Sequence, residues 1–244
     1  MLKNINAELR KLFSIRSTYV VFIICIGLAV LFAFYGTGFR SHPADLHNPD
    51  LLASQVSNAI SFLCTIGALV AVLLVTHEYR YNTIAYTITA SRTRSQIIPA
   101  KIIAITVYGL VFSAFFAAAA PLLAYAGLQA HHAIYVKQTL QYGTLAWQAL
   151  LAGWAFFMYA FIIASLIRNQ VGALVTVFVF PGVVEQLLNL VFRSNSKYLP
   201  YHAITNVLTH VTMSSGRAAI LVGVYIVAGW LVSWLLFLKR DAST

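Results

Sequence analysis

The sequence predicts an all-α protein that crosses a membrane six times. Hydrophobic residues make up 60% of the 244-residue chain and charged residues only 9%, whereas a soluble domain carries about 25% charged residues. The charged residues also separate apolar intervals of about 20 residues, the length that an α-helix needs to cross a hydrocarbon core about 30 Å thick. We therefore expect residues 1–244 to form one transmembrane domain.

The six predicted spans are the intervals that remain after polar residues are trimmed from both ends. The first is expected to stay in the protein, because its apolar run lacks a small-residue cleavage site at the right place. The fifth is interrupted by one acidic residue. The predicted spans are Thr18–Tyr35, Val56–Thr76, Ile102–Ala124, Leu145–Ile167, Val171–Val191 and Ala218–Leu238.

The distribution of lysine and arginine predicts that both termini lie in the cytoplasm. With the N-terminus inside, eleven of the 16 basic residues fall in cytoplasmic segments and five fall outside, the bias of the positive-inside rule. An even number of spans then returns the C-terminus to the cytoplasm. The net charge of +10 therefore belongs mainly to the inner membrane face. No nucleic-acid partner is expected, since no basic soluble domain exists to bind one.

The N-terminal segment 1–16 has the pattern of a helix that lies in the membrane interface. Charged residues, among them Lys3, Arg10 and Lys11, point away from its apolar face, and Glu8 lies in the same segment. The alternative is an ordinary basic flank that only sets topology. The apolar face comprises Leu2, Ile5, Leu9, Leu12 and Phe13.

The segment 77–100 between spans two and three is predicted to be cytoplasmic and is too long for a tight turn. Asn82 or Thr83 can cap a short helix that runs to about Ala90. Such a helix would expose Tyr86 beside several charges, a surface suited to a soluble partner. The alternative is a solvated loop whose arginines set topology.

The motifs of this segment resemble those of the membrane subunits of type-2 ABC exporters. They are Glu78-x-Arg80-x-x-Thr83, then Ser91-Arg92, and then Lys101 at the start of a helix. In that family a Glu-x-Arg-x-Gly-Thr element precedes a short coupling helix that docks on the ATPase subunit. The element Glu8-Leu9-Arg10-Lys11-Leu12, the six spans and the late Tyr198-Leu199-Pro200 are similar too.

The resemblance implies a role in ATP-driven export and a set of partners. Two membrane subunits, either two copies of this chain or this chain and a relative, would assemble with two ATPase subunits amid membrane lipids. The chain contains no G-x-x-x-x-G-K-[ST] phosphate loop, so ATP and Mg²⁺ are expected on the ATPase partner. The chain itself is expected to hold no cofactor and to catalyse no reaction. We expect it in the cytoplasmic membrane of a prokaryote. The implied ATPase-coupling residues are Glu78, Arg80, Thr83, Tyr86 and Arg92.

The fifth span contains Pro181, Gly182 and the only acidic residue of any predicted span, Glu185. Because Pro-Gly breaks or kinks helices, we expect this span to end near Phe180 and to continue as short outer helices. A carboxylate in hydrocarbon costs at least ~2.5 kcal/mol, so Glu185 should face protein or water. It is either structural, paired with Arg193, or part of substrate passage or gating.

Two other functional classes have weaker support. A secondary transporter or channel, not driven by ATP, usually carries ionisable residues in several spans, and here only Glu185 qualifies. A membrane-embedded enzyme needs clustered His, Asp or Glu at membrane depth. The adjacent His131 and His132 do not share one helix face and have no carboxylate beside them, so no metal site is predicted.

Overall fold

The computed structural model describes residues 2–39, 50–81, 83, 96–130 and 140–239, and within these ranges every regular element is helical. Six of the helices, α2 to α6 and α8, are long and apolar enough to cross a membrane. The predicted fold class is thereby confirmed in its helical content and its six candidate spans. The helices are α1 (Leu2–Ser14), α2 (Arg16–Gly38), α3 (Leu51–Arg80), α4 (Ile97–Ala130), α5 (Tyr142–Ile167), α6 (Gln170–Val191), α7 (Pro200–Thr209) and α8 (Ser215–Lys239).

The observed helices extend beyond the predicted spans at most of their ends. The largest difference is at α4, which begins five residues before the predicted Ile102 and ends after the predicted Ala124. The predicted bounds lie at polar residues, which mark where a span leaves the hydrocarbon core of the membrane. The helix itself continues for as long as its backbone hydrogen bonds do. The extra turn at the start of α4 carries Lys101.

The bundle is organised around α5, which packs against α3, α4, α6, α7 and α8. Aromatic side chains fill its centre, and the rings of Phe112 and Phe157 meet edge to face with centroids 5.3 Å apart, a favoured arrangement for aromatic pairs. Small residues let the helices come this close. A methyl group added at Gly67 would come within 2.5 Å of the Phe112 ring.

The end of α2 crosses α4 with direct backbone contact. A methyl group at Gly38 would overlap the backbone of Gly127, and one at Gly127 would overlap the carbonyl of Phe34. Only glycine permits this approach between two helices. By contrast, Gly27 in the same helix has open space around its α-carbon.

The prediction that the fifth span ends near Phe180 is wrong. The helix continues through a π-helical segment, Phe180–Glu185, into the α-helical turns of Gln186–Phe192. Proline lacks an N–H group and crowds the preceding turn, and a local π adjustment lets a membrane helix continue past it. The short outer helices expected directly after Phe180 are therefore absent from the described residues of this stretch, and a separate short helix, α7, begins only at Pro200.

The two ends of the bundle differ in their polar groups. At one end, called here the α1 end, α1 packs beside the last turn of α3 and the first turns of α4. At the opposite end, called the α7 end, a 3₁₀ turn (Arg193–Tyr198) leads into α7, and α7 packs against α5 and α8. Both ends carry residues that the sequence singled out.

Candidate functional site

Four charged side chains meet at the α1 end and form what we call the charge cluster: Glu8, Lys11, Glu78 and Lys101. Lys11 Nζ lies 2.8 Å from Glu8 Oε1 and 2.6 Å from Glu78 Oε1. Lys101 Nζ lies 2.9 Å from Glu8 Oε2 and 2.9 Å from Glu78 Oε1. Each ammonium group thus bridges both carboxylates, and the cluster joins α1, α3 and α4.

Most of the charge cluster is removed from solvent. Glu8, Glu78 and Lys101 are buried, whereas Lys11 is only partly buried. Two acids balance two bases, so the cluster as a whole is neutral. This balance matters because burying an ion costs several kcal/mol and is tolerated only when partners and hydrogen bonds compensate. Burial lowers the pKa of Lys11, but the charges of Glu8 and Glu78 raise it more, so the net pKa is raised and Lys11 stays protonated.

The spacing of α1 explains how one helix contributes two members of the charge cluster. Glu8, Lys11 and Leu12 lie three and four residues apart and therefore share a helix face, and this face packs on the bundle, with Leu12 fully buried. The prediction that Lys11 points away from the packed face is wrong, because its long side chain reaches back to the carboxylates. Phe13, assigned to the apolar face, is half exposed.

The predicted coupling residues fall into a buried group and an exposed group. Glu78 belongs to the charge cluster, and its backbone carbonyl accepts a hydrogen bond from the Thr83 N–H at 2.9 Å. Arg80 is exposed, and its Nη1 donates to Gln170 Oε1 of α6 at 2.9 Å. Tyr86 and Arg92, with most of the predicted coupling helix, lie outside the described residues, as do His131 and His132.

The role of Lys101 was not predicted from the sequence, where this residue only marks the start of a helix. One signal was available: a lysine followed by more than thirty residues without charge requires an acidic partner if it is buried. Which acid that is depends on packing, since Glu8 is 93 residues away along the chain. A second contact that the sequence did not predict joins Arg168 to Tyr79: the guanidinium carbon of Arg168 lies 5.3 Å from the centroid of the Tyr79 ring.

Glu185 lies toward the α7 end and is fully buried, with 0% of its surface exposed. Its Oε1 accepts a hydrogen bond from the backbone N–H of Tyr201 at 3.1 Å, and its Oε2 accepts one from His202 at 3.3 Å. These N–H groups belong to the first turn of α7, where the helix leaves its donors unpaired and favours negative charge. Glu185 therefore caps α7.

The neighbours of Glu185 in the π-helical segment have unequal surroundings. Pro181 is buried in the bundle, whereas Gly182 is exposed and has open space around its α-carbon. The side chain of Arg193, the partner expected for Glu185, lies outside the described side chains. The observed partners of the Glu185 carboxylate are backbone N–H groups of α7.

Comparison with known families supplies one match. Residues 4–185 of the 244-residue chain match a family model described as "ABC-2 family transporter protein". The matched region begins within α1, ends at Glu185 and contains the whole charge cluster. No curated protein matches the chain.

Proposed function

Because the chain belongs to the ABC-2 family of transporter proteins, we propose that it is the membrane subunit of an ATP-driven exporter and works with a separate ATPase. The observation that carries the proposal is the charge cluster. It ties the N-terminal helix to α3 and α4, the two helices on either side of the predicted coupling helix, which is expected to dock on the ATPase. A force applied to that helix therefore has a direct mechanical route into the bundle.

The proposed orientation places the α1 end in the cytoplasm. The excess of lysine and arginine on the segments of this end supports it, and so does the amphipathic sequence of α1, which we propose lies along the inner membrane surface. The C-terminal residue of α8, Lys239, is at the same end. Both termini then lie inside a prokaryotic cytoplasmic membrane.

Within this proposal the coupling residues have different roles. Arg80 and Thr83 are exposed and are proposed to face the ATPase together with Tyr86 and Arg92. Glu78 is buried and acts as a positioning residue, since it holds the end of α3 against α1 and α4 through Lys11 and Lys101. ATP and Mg²⁺ are proposed to bind only the ATPase partner.

The α1 end links several spans that are proposed to move together. The charge cluster connects α1, which precedes the first span, to α3 and α4. The hydrogen bond from Arg80 to Gln170 extends the connection to the start of α6. Closure of an ATPase dimer would tilt these helices as a group, provided that the closed ATPase binds one membrane conformation more tightly than the other.

The substrate path is proposed to lie between two membrane subunits, either two copies of this chain or this chain and a relative. Exposed apolar side chains along α2 and α6 supply surfaces that must be covered by lipid or by another subunit. Such a path suits lipids, amphipathic peptides or hydrophobic drugs. Transport by the isolated chain under an ion gradient, without ATP, would favour the alternative of a secondary transporter or channel.

The proposal is tested by charge reversal at Arg80. The tagged chain is purified from its native membranes, and ATP hydrolysis in the eluate is measured per mole of chain. Arg80→Glu is expected to reduce the copurified ATPase about tenfold, because removing a central charged contact from an interface costs on the order of 1–2 kcal/mol. Lys239→Glu is the matched control, since Lys239 is an exposed cation at the same end and should leave copurification unchanged.

Size-exclusion profiles of both variants establish that they remain folded. An Arg80→Glu chain that is monodisperse and still retains the wild-type amount of ATPase would contradict the proposed docking surface. Absence of any ATP-hydrolysing partner from wild-type preparations would contradict ATP coupling itself.

A further inference from the structure

A cavity of about 770 Å³ and a separate one of about 610 Å³ open at the α7 end, and the smaller of the two has the character of a ligand site. It lies between the 3₁₀ turn before α7 and the first three turns of α8. Its lining includes Lys197, Thr212, Ser214, Arg217, Ile220 and Val224. We propose that this cavity binds the phosphate headgroup of an anionic membrane lipid whose acyl chain lies along α8.

The charges of the cavity favour an anion. Lys197 and Arg217 both line it, and no aspartate or glutamate is among its lining residues. Within the described part of the chain Arg217 has no hydrogen bond or ion pair, and Lys197 Nζ contacts only the ring of Tyr198, 5.3 Å from its centroid. Two cations that share one cavity repel each other, and a bound phosphate removes this repulsion.

The position of Arg217 also favours a bound anion. It stands in the first turn of α8, which contains no acidic residue, although the positive N-terminal end of a helix favours acidic groups there. A phosphate at this place would be stabilised by the helix N-terminus as well as by both side chains. The hydroxyl groups of Thr212 and Ser214 on the same wall supply further hydrogen-bond donors.

The walls of the cavity are held in place by protein contacts. The Tyr225 hydroxyl donates to the backbone carbonyl of Tyr198 at 2.6 Å and fastens the 3₁₀ turn to α8. Ser215 Oγ lies 2.7 Å from His210 Nδ1 and accepts from Gln148 Nε2 at 3.2 Å, which anchors the start of α8 to α5. The cavity is therefore preorganised, a condition that favours binding.

The apolar side of the cavity indicates a lipid and not a free phosphate ion. Ile220 and Val224 line the cavity, and together with Val227 and Leu231 they form a stripe on one face of α8, each with more than half of its surface exposed. The 25 residues of α8 extend about 37 Å, several ångströms more than a hydrocarbon core. The first turn of α8 therefore lies at headgroup depth, with the apolar stripe at acyl-chain depth.

The test measures lipid retention on the full chain. Wild type and the double variant Lys197→Gln/Arg217→Gln are purified from vesicles of equal phosphatidylglycerol and phosphatidylcholine content, and bound lipid is counted by native mass spectrometry during stepwise delipidation. Wild type is expected to retain phosphatidylglycerol over phosphatidylcholine. Each lost cation should weaken retention about fivefold, so the double variant loses about 25-fold.

The control is Lys239→Gln, which removes an exposed cation from the opposite end of the same helix and should retain the lipid as wild type does. Equal retention by wild type and the double variant overturns the proposal. So does full displacement of phosphatidylglycerol by millimolar inorganic phosphate, since the cavity would then bind a free ion. Should the double variant aggregate, the single variants give the same test, each with the fivefold effect. None of these outcomes depends on the ATPase partner.

Discussion

Lys101 is the more deeply buried of the two cations in the charge cluster. It is only 3% exposed and contacts both carboxylates of the charge cluster. Lys11 contacts the same carboxylates but remains partly exposed, so water can replace part of the interaction when Lys11 is substituted. The pKa of Lys11 is raised in the folded protein. The stability that Lys11 contributes is therefore fully present at neutral pH and is lost only as the pH rises through that raised pKa.

We predict that Lys101→Met destabilises the protein by about 3–5 kcal/mol, because it leaves two carboxylates with one partly exposed partner. Thermal unfolding in detergent measures the change as a lowered midpoint. Lys11→Met should lower the midpoint less, and Lys3→Met, which alters an exposed lysine of the same helix, should leave it unchanged. If Lys101→Met unfolds at the wild-type temperature, Lys101 is not buried among the carboxylates.

At the scale of elements, the π-helical segment of α6 and the first turn of α7 form one unit. The segment aims Glu185 at the N-terminus of α7, where its two carboxylate oxygens accept the backbone hydrogen bonds of Tyr201 and His202. A helix of only ten residues is marginal by itself. It therefore depends on its cap and on its packing against α5 and α8.

Glu185→Leu is expected to destabilise α7 by about 2–4 kcal/mol, because two partly buried N–H groups lose their acceptors and each loss costs roughly 1–3 kcal/mol. Hydrogen exchange read by mass spectrometry should show faster exchange in peptides from α7 and little change in those from α8. Gln186→Ala, at the exposed neighbouring position, serves as the control. Should exchange stay at the wild-type rate while transport is lost, Glu185 would serve gating and not capping.

At the scale of the whole molecule, the proposed topology places the α1 end of the bundle in the cytoplasm and the α7 end outside. Ser14 is exposed at the α1 end and Ser214 is exposed at the α7 end. The native cysteines, Cys25 and Cys64, are both buried, so they should react slowly with water-soluble reagents and supply a low background. Single introduced cysteines can therefore report on each end separately.

Labelling of whole cells with a membrane-impermeant maleimide tests this topology. Ser214→Cys is expected to be labelled in intact cells, and Ser14→Cys only after permeabilisation, since charged termini rich in lysine and arginine stay inside. The unsubstituted chain gives the background. The reverse pattern would place the charge cluster outside and remove it from any cytoplasmic ATPase.

The sequence alone determined the helical class, the number of spans and the resemblance to type-2 ABC exporters. All three depend on local properties of the chain: stretches of about 20 residues without charge, and short motifs such as Glu78-x-Arg80.

Only the tertiary structure determined which residues the buried charged groups contact. It joined Glu8 to Lys101 and gave the Glu185 carboxylate to the backbone of α7. The local pattern at Pro181-Gly182 indicated that the fifth span ends near Phe180, but the helix continues through a π-helical segment. A buried charge or a buried unpaired N–H group is costly, and the packing of helices far apart in sequence determines which groups become its partners.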